Sequence, residues 1–315
     1  MSVDFLLGVD QPAAALAARA GDDVVFDSVA VAKSEARRYA QQRADLAFLG
    51  YPLPDPVFVT PRSSGLMYVQ GADLGEHAEG YVRRSRRNVA DRDLASVIEE
   101  CFAVDVAVVS LPDQFDGLAW NDEFSKLIVV GTTSRPGRQR FTIAHELCHL
   151  LVEDDQQSLH VDTDVFGAHK SELTEIRANA FAAAFLMPAD KLESAVGSGR
   201  ATLEVLAELT CTLSVSPNAL AHRLSNLRLV SAELTAQLGR LSAYQAARIA
   251  GRAGELGEWV EHSSATRVPQ RLVRDAFLAY SNGDTTLRPY ANLVGMDVET
   301  LREALESASD VSIPQ

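Results

Sequence analysis

With 315 residues, 47% of them hydrophobic and 23% charged, the chain exceeds one typical domain and has the composition of an ordinary globular protein. Its formal net charge of −14 disfavours a generic nucleic-acid binder, which must neutralise phosphates with Lys and Arg. No run of about 18 apolar residues is present to span a bilayer, and Met1-Ser-Val-Asp-Phe-Leu-Leu lacks the basic start and long apolar core of a secretory signal.

Cys101, Cys148 and Cys211 are odd in number, widely spaced and form no CxxC, which points away from a disulfide framework and towards a reducing cytoplasm. Basic residues cluster at Arg83, Arg84, Arg86 and Arg87, read as a solvated helix end, and 221–275 carries more basic than acidic side chains.

Residues 11–48, rich in Ala, Arg and Gln, have helical spacing that Tyr51-Pro-Leu-Pro-Asp-Pro56 must stop. A helix is predicted over 90–102, followed by strands at Val104–Ser110, Phe115–Trp120 and Lys126–Gly131. After the loop Ser134–Arg140, a helix over roughly 141–152 is apolar on nearly every side (Phe141, Ile143, Ala144, Leu147, Leu150, Leu151) and must be buried. Residues 152–170 are polar and acidic and read as a surface loop. Ser171 or a neighbour caps the next helix, which Pro188 ends. Helices follow near 202–213 and 217–227, then an Ala- and Arg-rich helical stretch over 233–262, and two or three short helices close the chain.

Inside the buried helix stands His145-Glu146-Leu147-Cys148-His149, an HExxH sequence. Residues four apart share a helix face, so both imidazoles can grip one metal ion, and Glu146 can reach a water bound to it. Two histidines and a glutamate would be costly in an apolar helix unless a metal satisfied them. Catalytic zinc takes three protein ligands and leaves a fourth position for water. The HExxHxxGxxH extension fails because position 155 is Asp155, and His160 is out of that register. Asp154, Asp155, Asp162 and Asp164 read as solvated loop acids. Glu175 is the stronger candidate for third ligand: it shares a face with Ala178, Asn179, Ala182, Phe185 and Leu186, where a lone carboxylate is expensive. Glu172 lies in the first turn, where an acid suits the helix dipole.

Arg140-Phe-Thr-Ile-Ala-His-Glu-Leu-Cys-His-Leu-Leu151, followed by Glu175-x-x-x-Asn179-x-Phe181-Ala182-x-x-x-Leu186-Met187-Pro188, resembles the ImmA/IrrE family of metallopeptidases. Val215-Ser216-x-x-Ala219-Leu220-x-x-Arg223-Leu224 resembles the family's continuation, so the likeness covers roughly 88–230. It implies an α+β fold: a minimal zincin-like core with a small sheet on the motif helix, then an all-helical C-terminal region. The expected division is 1–60 as helical lead-in and Pro-rich linker, 61–230 as peptidase domain and 231–315 as a helical domain of unassigned role. It further implies Zn²⁺ held by His145, His149 and Glu175, with Glu146 as general base. The implied substrate is a protein, a helix-turn-helix transcriptional repressor cut at one site. Cys148 departs from the family, which commonly has Gly there; a buried Cys is most often an inert core residue.

Asp4-Phe-Leu-Leu-Gly-Val-Asp-Gln-Pro-Ala resembles the segment directly after an N-terminal DNA-binding module in longer relatives, a module expected to be missing here. An alternative reading is a DNA-associated regulator, because Leu203–Leu224 and Leu287–Leu305 have helix-turn-helix spacing. Asp297, Glu299 and Glu303 would face phosphate unfavourably. A closed structural zinc site is the third reading, but Cys148 lies about 100° round the helix from His149, away from the shared metal. A homodimer stays open on sequence alone.

Overall fold

The structure, a computed structural model, describes residues 22–61, 64–111, 116–153, 165–197 and 201–310, with 22–29, 165–172 and 308–310 as backbone only. Three strands form the sheet: β1 (Asp105–Val109), β2 (Gly117–Asn121) and β3 (Lys126–Gly131), in spatial order β1-β3-β2. β1 runs parallel to β3 with Asp105 opposite Leu127, and β2 runs antiparallel to it with Ala119 opposite Ile128. The apolar runs of β1 and β3 are continuous because both faces are covered. Val106, Val108, Ile128 and Val130 enter the main core, whereas Ala107, Val109, Leu127 and Val129 enter a second core on the opposite face.

The second core is closed by α1 (Asp22–Phe48), which contributes Ala36, Tyr39 and Leu46. α2 (Met67–Arg84) and α3 (Leu94–Phe102) come next, the latter capped by Asp93, whose side chain accepts from Ser96 N–H at 3.0 Å. The motif helix α4 (Pro136–Val152) begins with Pro at its first position and ends at Glu153 in the left-handed region, φ 54°. It starts five residues earlier than the apolar pattern suggests, because Gln139 and Arg140 are also buried.

α5 (Val165–Leu186) packs on both α2 and α4. Two glycines permit that packing: a Cβ on Gly71 would stand 2.1 Å from the Arg177 carbonyl oxygen, and one on Gly75 2.6 Å from that of Phe181. The sequence pattern does not announce α2, yet its contact with α5 fixes the helix that carries Glu175.

α6 (Ala189–Val196), α7 (Leu203–Leu213) and α8 (Pro217–Asn226) complete the main core through Leu192, Leu206, Leu220 and Leu224. The stretch 233–262 is divided into α9 (Ala232–Gly239), α10 (Ala243–Ile249) and α11 (Ala253–Ser264). Ser242 starts α10 with a capping box to Gln245, a local signal that overrides uniform helical composition. α12 (Gln270–Ser281), α13 (Arg288–Val294) and α14 (Val298–Asp310) end the chain, and α12 joins the second core through Leu272, Ala276 and Ala279. The fold class is therefore α+β, a small sheet followed by many helices.

The two sheet edges differ. β1 is covered by Arg267, which exchanges two backbone hydrogen bonds with Val108 at 2.8 and 2.9 Å. Among the described residues, β2 has no second strand partner. Arg43 stitches the layers together: it is fully buried and pairs with Asp105 of β1 at 2.9 Å and Asp275 of α12 at 2.7 Å. No helix among the described residues is long and apolar enough to cross a membrane.

Candidate metal centre

His145 and His149 lie one turn apart on α4 and Glu175 faces them from α5, so the structure brings all three expected ligands together. Their ligand atoms lie within 4.8 Å of one another. His145 Nε2 is 3.1 Å from Glu175 Oε2, His149 Nε2 is 3.4 Å from Glu175 Oε1, and the two Nε2 atoms are 3.2 Å apart. A tetrahedral zinc with bonds of about 2.0–2.1 Å needs ligand atoms roughly 3.3 Å apart, so the donor set has the spacing of one triangular face. Two ring nitrogens pointed at each other and at a carboxylate are also the arrangement a shared cation satisfies.

Burial is graded across this face. The His149 side chain is 4% exposed and the His145 side chain 13%, whereas that of Glu175 is 41% exposed, which puts the open side over the carboxylate. Burial would raise the Glu175 carboxyl, but hydrogen bonds from His145 and His149 outweigh it and hold the group well below the usual range. Glu146 behaves oppositely. Burial pushes its carboxyl up, and the two imidazoles and a backbone hydrogen bond from Ala119 only partly offset that.

Ala119 belongs to β2, the strand without a second partner among the described residues. Gly131 N–H donates to Asp116 at 3.2 Å and Asp122 N–H to Ser125 at 3.0 Å. Hydrogen-bonded pairs alternate along an antiparallel ladder. In this register Gly117, Ala119 and Asn121 therefore turn their backbone groups to the open edge, beside Glu146. Gly117 is required there, because a Cβ would come within 2.7 Å of Thr142 Cγ2 on α4.

Spacing places Asn179 on the Glu175 face, but its role emerges only from the structure. Its Oδ1 lies 3.1 Å from His145 Nδ1 and accepts the proton there, which leaves the Nε2 lone pair facing His149 and Glu175. The four-residue step from Glu175, the same step that links the two histidines, is the signal for it in the sequence.

Other candidates lie elsewhere. Cys148 is fully buried in the main core. Arg83 and Arg87 of the basic cluster pair with Asp190 and Glu100 at the surface. Asp154, Asp155, His160, Asp162 and Asp164 lie outside the described residues, as does the start of the Phe115 strand. α5 begins at Val165, so Ser171 does not cap it and Glu172 is not in its first turn, because the helix extends six residues further back than the polar stretch suggests.

Residues 103–225 match the model of the Peptidase_M78 family, described as the IrrE N-terminal-like domain. A relative from Deinococcus deserti, named radiation response metalloprotease IrrE, is 34% identical over 100 residues, which cover 31% of this chain and 36% of the relative. A protein of the same name from Deinococcus radiodurans is 34% identical over 121 residues, 36% of each chain. The chain thus spans about a third of the length of these curated relatives. The matched segment holds both helices of the histidine–glutamate cluster and is similar to the IrrE N-terminal-like domain.

Proposed function

We propose that this chain is a cytoplasmic zinc-dependent endopeptidase that cuts a regulatory protein, a helix-turn-helix repressor, at one site. The observation that carries the reading is the triangle of His145, His149 and Glu175 ligand atoms with Glu146 beside an uncovered strand. Bound by those three residues, zinc supplies a Lewis acid that acidifies water and polarises a carbonyl. Glu146 accepts the water proton and returns it to the leaving amine; its raised proton affinity suits that exchange. Asn179 holds His145 in the tautomer that presents Nε2. Gly117, Ala119 and Asn121 offer backbone groups to an extended substrate segment, with the Ala119 N–H already turned to Glu146.

The curated relatives' name, metalloprotease, supports the reaction class. A closed structural site is disfavoured because Cys148 is buried in the core and is not in the cluster. Direct DNA binding is disfavoured because the exposed side of α14 carries Glu299, Glu303 and Glu306.

The test is incubation with candidate repressors, especially one encoded beside this gene, with cleavage read by mass spectrometry. The expected result is a single zinc-dependent cut that Glu146→Gln abolishes while retaining zinc. Equal turnover by that variant would sink the mechanism, and no cut in any candidate would sink the substrate class.

A further inference from the structure

Behind the motif helix, on the side away from the metal cluster, a cavity of about 350 Å³ opens between α3, α4 and the C-terminal segment. That size lies in the range of small-molecule sites. Leu94, Ala95, Val108 and Ile143 form its apolar part; of its arginines, Arg92 pairs with Glu258 at 2.6 Å and Arg267 with Glu99 at 2.8 Å, whereas Arg140 has no carboxylate in contact.

Arg140 is the unusual member. The other buried arginines each hold a carboxylate: Arg43 has Asp105 and Asp275 at 2.9 and 2.7 Å, and Arg223 has Glu76 at 2.6 Å. Arg140 is 5% exposed, yet its guanidinium donates only to the carbonyls of Val89, Asp91 and Arg92, and its Nε has no partner. Asp91 and Asp93 act on it only through their field, and a buried cation without a carboxylate in contact is costly. Burial lowers its pKa to about 10, against the opposing field of Asp91 and Asp93.

We propose that this cavity binds a small metabolite carrying an oxyanion, a carboxylate or a phosphate, which supplies the direct ion-pair partner that Arg140 lacks. The site has a floor and a roof from different parts of the chain. Gln139, Arg140 and Ile143 belong to the motif helix, whereas His262 and 265–267 belong to the segment that seals the β1 edge. The two are already tied, since Gln139 Nε2 donates to Ser263 O at 3.0 Å. Occupancy therefore links the C-terminal helices to the helix that carries His145, a route for a small-molecule signal to reach the metal site. The binding itself does not depend on peptidase activity.

The test uses the full chain titrated with inorganic phosphate and, separately, with succinate, against sodium chloride at matched ionic strength. Binding predicts a saturable rise in Tm of roughly 2–4 °C at ten times Kd for at least one of the two. Amide exchange should slow in 88–96 and 262–270. Which anion acts separates a phosphate from a carboxylate ligand. Thr266→Glu and His262→Glu, both exposed positions at the cavity, place a competing carboxylate there. Each should keep its Tm in chloride and weaken the response at least tenfold. No response beyond chloride, or an equal response in wild type and both variants, overturns the proposal.

Discussion

Replacing Asn179 with Leu tests how the metal centre is oriented. The amide oxygen accepts from His145 Nδ1 at 3.1 Å, and Asn179 is only 6% exposed, so water cannot take its place. In the variant, metal binding needs the Nε2 lone pair and leaves the Nδ1 proton buried without an acceptor. The metal-free protein escapes this cost: the ring can move its proton to Nε2, where Glu175 lies 3.1 Å away. The penalty thus falls mainly on the metal-bound state. A lost buried hydrogen bond costs about 1–3 kcal/mol, which corresponds to roughly 5–150-fold weaker binding and spans the usual effect of removing a ligand's supporting partner. The assay is zinc competition against a chromophoric chelator, with circular dichroism to check folding. Asn179→Asp, which keeps an acceptor, should bind at least as tightly as wild type. A folded Asn179→Leu protein that binds zinc within twofold of wild type would refute the reasoning.

Gly71→Ala should destabilise by about 1–3 kcal/mol in urea, because its Cβ meets the Arg177 carbonyl, whereas Gly257→Ala on α11 meets nothing within 4 Å and should stabilise by about 0.5–1 kcal/mol. If the two behave alike, the close α2–α5 contact is wrong. Arg43→Met leaves Asp105 and Asp275 without their shared cation and should cost about 3–5 kcal/mol by denaturant unfolding; a loss below 1 kcal/mol would show the pairing is dispensable. For Asp93, burial raises the carboxyl, but Ser96 and Arg267 outweigh it and the group titrates below its ordinary value. Its charged form therefore stabilises the fold above the unfolded pKa, and that contribution is lost as pH falls through the folded value. Asp93→Asn should be less stable than wild type at pH 7, with the gap closing below about pH 4; a gap constant with pH would contradict this.

The candidate metal cluster is legible in the sequence because helical geometry puts His145 and His149 on one face and marks Glu175 on an otherwise apolar one, with the resemblance of the two motifs to the ImmA/IrrE family adding the ligand role of Glu175. The strands are legible for a similar reason, as short apolar runs between polar turns. The features that escape a sequence reading depend on contacts between distant segments. α2 is poor in helix formers at Gly71, Gly75 and Gly80, and only its partner α5, about a hundred residues on, explains why Gly71 and Gly75 must be small. Arg140 reads as an ordinary surface arginine until α4 is seen to begin at Pro136 and bury it. The packing of α1 on the sheet is likewise set by β3 and α12, not by anything within its own sequence.

Under the proposed function, the open side of β2 would bear on which conformation of a target can be cut. To pair with Gly117, Ala119 and Asn121, a segment must stretch over about five residues, roughly 17 Å. The same five residues wound in a helix span only about 7.5 Å. A folded helical domain would thus present its linkers to this edge and withhold its helices. For sites within structured regions, the rate of cutting would follow the free energy of local opening in the target. A peptidase of the proposed kind would select for loss of order before residue type, and a target held rigid by its own partners would be protected without any change to the site.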